Sequence, residues 1–241
     1  MDGAVTRAGP PMTKPTLTTI TSHKGQTASA HVAVPEAASA DNPAPGMLLF
    51  HAFRGLTQEF IDFAETYAEH GYIAAAVDLY EGKTSEDLSV AQQLMDAMDQ
   101  EACTDLAVSW ADWLRGHAAC TGKIGAVGWC LGGTWSLNTS VATPVDATVV
   151  YYGDVDKTAD DLSSLKGPVL GHFGTEDEYF GKAMVDRFEA EMAKAGKVDR
   201  YTNYWYPAGH AFANTGGPYF HDESATSADD RTWDFLKRHL S

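Results

Sequence analysis

The sequence predicts an α/β fold: a mostly parallel central sheet with helices on both faces and an antiparallel hairpin at its N-terminal edge. Three observations carry this. From Met47 onward, short and nearly continuous apolar runs alternate with stretches of helical character. Strands that are apolar on both faces need cover on both faces, as in parallel sheets with crossover helices. Ahead of them, two β-prone runs are separated by Lys24-Gly25, a turn signal that suits a hairpin. Finally, 241 residues, 44% hydrophobic and 21% charged, suffice for one sizeable core and leave no room for a second full domain.

Taken in order, residues 1–15 are rich in Gly, Pro and Thr without periodicity and read as a disordered arm or an appended remnant. Residues 16–241 read as a single domain. The hairpin strands are expected at 16–20 and 28–34, followed by a Pro/Ala-rich connection to Gly46. Core strands are expected at 47–53 (MLLFHAF), 72–80, 123–129 (KIGAVGW), 147–153, 168–174 and 201–206. Helices are expected near 58–69, 86–116, 131–141, 180–195 and 226–239, with Asp229-Asp230 capping the last of them. Such a sheet places its ligand site beyond the carboxyl ends of the strands.

Charge narrows the partners. Seventeen Lys and Arg against thirty-three Asp and Glu give a formal charge of −16, a field that repels nucleic acid and anionic lipid alike. No run approaches the ~18 apolar residues of a membrane span, and the N-terminus lacks a signal peptide's apolar core. Cys103, Cys120 and Cys130 form neither an even set nor a CxxC pair, so reduced thiols in a cytoplasmic protein are expected. The nine histidines match no HExxH or Cys/His spacing, and no metal or cofactor is expected.

The chemistry concentrates where strand KIGAVGW runs into Gly128-Trp129-Cys130-Leu131-Gly132-Gly133 and then a helix-compatible stretch. A nucleophile at the apex of a strand-to-helix turn needs small neighbours, because side chains there would collide. Cysteine stands where the G-x-S-x-G elbow has serine, and a helix N-terminus directs its N–H groups at the sulfur. Alone, the motif also fits a buried cysteine at a glycine-rich strand end. Two later residues favour the elbow: Asp177 follows strand PVLGHFG, and His210 follows strand YTNYWY. The order nucleophile, acid, base is that of this arrangement. Glu176 and Glu178 rival Asp177 as the acid.

These stretches, GYIAAAVDLY, KIGAVGWCLGG, VVYYG, GTED and YPAGHAFA, in this order, resemble the dienelactone hydrolase family of the α/β-hydrolase fold over residues 16–240. The resemblance implies Cys130 as nucleophile, His210 as general base and acid, and Asp177 as the group orienting the histidine. An ester, thioester or lactone carbonyl would be attacked, with an oxyanion hole from the backbone N–H groups of Phe53 and Leu131. Arg54, Trp129, Tyr152, Phe212 and Asn214 are candidates to line the substrate pocket, as are Tyr151 and Phe180. His51 is expected beneath the oxyanion loop, and His172 as a hydrogen-bonded core residue.

Three positions depart from the family pattern. An acidic residue in the loop after the first core strand is replaced by Ala52, a clamp arginine four residues past the histidine by Asn214, and no arginine occurs between Glu86 and Leu114. The first departure predicts a resting thiolate–imidazolium pair, since no carboxylate opposes the thiolate. The others predict loss of the carboxylate clamp, leaving Arg54 as the one arginine near the oxyanion loop. The partner is expected to be a small ester or lactone, and the chain a monomer or homodimer. A catalytically silent binding scaffold is the alternative that Ala52 motivates, and a redox-sensing thiol is a third.

Overall fold

The computed structural model describes residues 14–241, so all but the last two residues of the expected N-terminal arm lie outside the described residues. Thr16–Thr21 (β1) and Thr27–Ala33 (β2) pair as an antiparallel hairpin, turning through Gly25 at φ 85°. The remaining strands are Ala44–Phe50 (β3), Ile73–Val77 (β4), Cys120–Trp129 (β5), Ala147–Tyr151 (β6), Val169–Gly174 (β7) and Tyr201–Tyr206 (β8). They form one eight-stranded sheet in the order β1-β2-β4-β3-β5-β6-β7-β8. β2 meets β4 antiparallel, and every pairing from β4 to β8 is parallel.

The helices are Gln58–Glu69 (α1), Leu88–Asp96 (α2), Gln100–Gly116 (α3), Leu131–Ala142 (α4), a single turn at Ala159–Leu162 (α5), Lys182–Lys194 (α6) and Asp222–Leu240 (α7). The period-2 alternation along β3 shows how the two faces are used. Met47 and Leu49 pack with Phe60, Ala64 and Tyr67 of α1 and Leu236 of α7. Leu48 and Phe50 point the other way, against Ala107, Trp110 and Leu114 of α3. Toward β7, the same second face is covered by Leu137 of α4 with Val185 and Phe188 of α6. Among the described residues, no helix is long and apolar enough to cross a membrane.

Two expected helices differ. The stretch 86–116 is two helices, because Asp87 accepts from the N–H groups of Ser89 and Val90 while Asp99 does the same for Glu101 and Ala102. Two N-caps on one stretch start two helices. The last helix begins at Asp222 rather than 226, and its cap is the His221 ring, which accepts from Ser224 N–H at 3.3 Å. Asp229 therefore sits two turns inside α7 and caps nothing. It instead accepts the Tyr151 hydroxyl at 2.8 Å, and burial raises its carboxyl above the usual range.

The register aligns the working ends of the strands. Phe50 stands opposite Gly128, Gly128 opposite Val150, and Val150 opposite Gly171. The segments that follow β3, β5, β6, β7 and β8 consequently emerge on one edge of the sheet. Chain order reverses across β3, with β4 on one side and β5 on the other, and the crevice at such a switch point is where α/β sheets bind ligands.

Candidate active site

β5 ends at Trp129 and α4 begins at Leu131, so a single residue, Cys130, makes the whole turn. It does so at φ 57° and ψ −118°, a conformation that costs a non-glycine residue about 1–3 kcal/mol. The surroundings hold it: Cys130 N–H donates to Tyr151 O at 3.0 Å, and Cys130 O accepts from Thr134 N–H at 3.3 Å. Glycine is required on both sides. A Cβ on Gly128 would lie 2.0 Å from Gly132 O, and one on Gly132 would lie 1.9 Å from Phe50 O.

β7 ends at Gly174, and the following turn delivers Asp177, whose side chain is wholly buried. Glu176 and Glu178 on either side are exposed. One carboxylate oxygen of Asp177 accepts the N–H groups of Tyr179 at 2.8 Å and Phe180 at 3.0 Å. The other meets Nδ1 of His210 at 2.9 Å, in the loop after β8. Burial alone would raise the Asp177 carboxyl, but the bonds from His210 and the two amides outweigh it and hold the group below its ordinary range.

His210 is gripped by three rings. Tyr152 and Tyr179 meet it edge-on with centroids at 5.1 Å, and Phe180 lies at 5.6 Å. Burial pulls its pKa down, yet hydrogen bonds to Asp177 and Cys130 and the charges of both push it up to about 9. The structure thus brings Cys130, Asp177 and His210 into one connected group from three different strand ends.

Cys130 and His210 open into a cavity of about 500 Å³. Phe53, Phe60, Phe63, Trp129 and Tyr152 make its apolar wall, while Arg54, Glu59, Glu86 and Asn214 bring the polar groups. Arg54 is not free: its guanidinium bonds both the carboxylate and the backbone carbonyl of Glu86. Ala52 lies in the lining at the place of the expected family acid. A second hollow, of about 370 Å³ between Pro45, His70 and Trp233, lies at the amino ends of β3 and β4 and shares no residue with the first.

Phe212 is a correction. It is fully buried, packed between Tyr152 and Tyr206 at 5.2 and 5.0 Å, and belongs to the core beneath the cavity rather than to its lining. Tyr151 is likewise core, its hydroxyl engaged by Asp229 and Thr232. Phe180 touches His210 but does not line the cavity. His172 bonds Tyr206 and Thr232 at 2.9 and 3.0 Å, and burial beside Arg231 lowers it to about 3, so it is neutral structure. His51 lies behind the loop. Its Nδ1 donates to Ala52 O at 2.7 Å and its Nε2 accepts from Leu79 N–H at 3.1 Å, with burial holding the ring neutral.

Sequence reasoning missed Phe60, Phe63 and Glu59 on the first turns of α1, and Glu86 before α2. Phe60 and Phe63 are three apart and so share a helix face, a signal that marks burial without saying that a cavity lies beyond. Among the described residues, no cluster of three or more His, Cys, Asp and Glu is placed to hold a metal.

The dienelactone hydrolase family profile matches residues 29–240. The chain belongs to the dienelactone hydrolase family. It is thereby a hydrolase of the ester and lactone class. A carboxymethylenebutenolidase of Pseudomonas putida is 28% identical over 228 residues, spanning 90% of this chain and 94% of its own. Carboxymethylenebutenolidase 1 of Cupriavidus pinatubonensis is 25% identical over 227 residues, with the same two coverages. Among solved structures, a dienelactone hydrolase-like promiscuous phosphotriesterase from metagenomic libraries superposes with a TM-score of 0.81. It is 18% identical and spans 95% of this chain and all of its own, a likeness of fold alone.

Proposed function

We propose that this family member is a thiol-dependent hydrolase of small neutral esters or lactones, working through an acyl-enzyme on Cys130. The observation that carries the reading is the Asp177-held His210 beside Cys130 on the strained elbow, both facing one cavity. His210 holds the thiol proton, and the Cys130 thiolate attacks the carbonyl carbon to give a tetrahedral oxyanion. The first N–H of α4, that of Leu131, has no acceptor within its helix and supports this oxygen together with the N–H of Phe53. Collapse breaks the carbon–oxygen bond as His210 returns its proton to the leaving alcohol. Water, deprotonated by His210, then attacks the thioester, and the carbon–sulfur bond breaks to release the acid and restore the thiolate beside protonated His210.

The pH profile follows from His210. Because it keeps its proton up to about pH 9, the acid for the leaving group is present below that value and lost above it. The descending limb of kcat/KM, which reports the free enzyme, is therefore expected near pH 9. In Asp177→Asn the hydrogen bond and negative charge that raise His210 are gone, so the limb moves to lower pH as the rate falls about 100-fold or more. A limb that stays in place would show that Asp177 does not set the histidine. Any Cys130-dependent turnover of a small aryl ester also separates an enzyme from a silent scaffold.

Carboxylated dienelactone is expected to be a poor substrate. Asn214 cannot replace an arginine fork, whose charge-assisted bonds contribute about 1.5–3 kcal/mol each, and Arg54 is occupied by Glu86. A neutral lactone of similar size should exceed it in kcat/KM by about tenfold or more. Equal rates would mean that the cavity binds the carboxylate by a route this reading lacks.

A further inference from the structure

We infer that the substrate carries a neutral hydroxyl group on its acyl or lactone part, and that Asn214 selects it. This deepens the thiol-hydrolase reading and rests on it. Asn214 lines the same cavity as Cys130 and His210. Its backbone is pinned, with N–H donating to Ala211 O at 3.1 Å and its carbonyl accepting from Gly217 N–H at 3.0 Å. Its side-chain oxygen, by contrast, is buried without a hydrogen-bond partner. Buried polar atoms are nearly always paired, and an orphan at a cavity wall is explained when the ligand brings the partner.

The charges around it decide which partner. Arg54, the one Lys or Arg in the lining, is tied to Glu86, while Glu59 and Glu86 contribute two carboxylates. The Thr215 hydroxyl donates to Glu59 at 3.2 Å, tying the Asn214 loop to the first turn of α1. With Arg54 spent on Glu86 and His210 on Asp177, a substrate carboxylate meets the charge of Glu59, and a methyl group leaves the amide unpaired. A hydroxyl both donates and accepts, so it pairs with the amide whichever way the side chain turns.

The test compares 4-nitrophenyl 3-hydroxybutanoate with 4-nitrophenyl 3-methylbutanoate, in which a methyl replaces the hydroxyl. Each kcat/KM is corrected for the ester's own rate with hydroxide. Wild type is expected to favour the hydroxy ester by about fivefold to tenfold, the weight of one hydrogen bond that would otherwise go unmade. Asn214→Asp, which still accepts from a hydroxyl in nearly the same shape, should keep the preference, and Asn214→Leu should bring the ratio to one. A wild-type ratio of one overturns the inference, as does a preference that survives Asn214→Leu or disappears in Asn214→Asp. If instead neither ester is hydrolysed, or Cys130→Ala hydrolyses both undiminished, the thiol-hydrolase reading itself falls.

Discussion

Cys130→Ala is expected to lower kcat for a small aryl ester by on the order of 10,000-fold or more, the size of loss seen when a triad nucleophile is removed. The magnitude follows from what remains. Alanine fits the elbow, where the bonds that hold the turn are made by the backbone N–H and C=O of Cys130, so the protein should fold and the cavity persist. Only the covalent route is lost. Cys103 is buried and its thiol is pushed up to about 11 by that burial, with Asp99 and Glu81 adding to the effect. Cys120 lies at the opposite end of β5 from Cys130. Replacing either should leave kcat within about twofold, since surface and remote changes rarely reach the chemistry. Initial rates of the three variants at saturating ester would settle the matter, and equal losses at all three positions would sink the assignment.

Gly132→Ala is expected to be the most damaging substitution of one methyl group. The added Cβ would sit 1.9 Å from Phe50 O and 2.7 Å from His51 O. Both are backbone atoms, at the end of β3 and the start of the oxyanion loop, and cannot swing aside as a flexible side chain would. Overpacking ordinarily costs about 1–3 kcal/mol, and an overlap with two carbonyls should exceed the top of that range. Urea denaturation should show a loss above about 3 kcal/mol or an unfolded protein. Gly116→Ala is the contrast, since a Cβ there meets nothing within 4 Å at the end of α3. It should be neutral or stabilising by up to about 1 kcal/mol. A well-folded, active Gly132→Ala protein would mean that α4 does not approach β3 this closely.

The strand framework was legible because parallel strands buried on both faces leave apolar runs too short for helices and bounded by turn residues. The elbow was legible for a related reason: Gly128 and Gly132 mark a close approach of backbones, and Cys130 stands between them. Asp177 and His210 could be placed because each directly follows a strand, and strand ends converge. What escaped depends on contacts across the chain. Glu59 and Phe63 join the cavity only because α1 brings Phe60 and Phe63 against Trp129 at the end of β5. Phe212 looked like a pocket residue because it sits two positions from His210, but the backbone turns at Ala211, φ 61°, and sends the ring into the core. Asp229 looked like a cap until α7 proved a turn longer. The break at Asp99 was readable in principle, as a second capping residue inside one helical stretch.

The most direct test of a sulfur nucleophile is to catch the acyl group. Wild-type protein mixed with a 4-nitrophenyl ester, quenched in acid within the first turnover and digested, should yield one peptide heavier by the acyl mass. This peptide is expected to contain Cys130, the adduct to be released by hydroxylamine as a thioester is, and Cys130→Ala to give none. An acyl group found on Cys103, Cys120 or a hydroxyl side chain, or ester turnover with no covalent adduct under any quench, would contradict it.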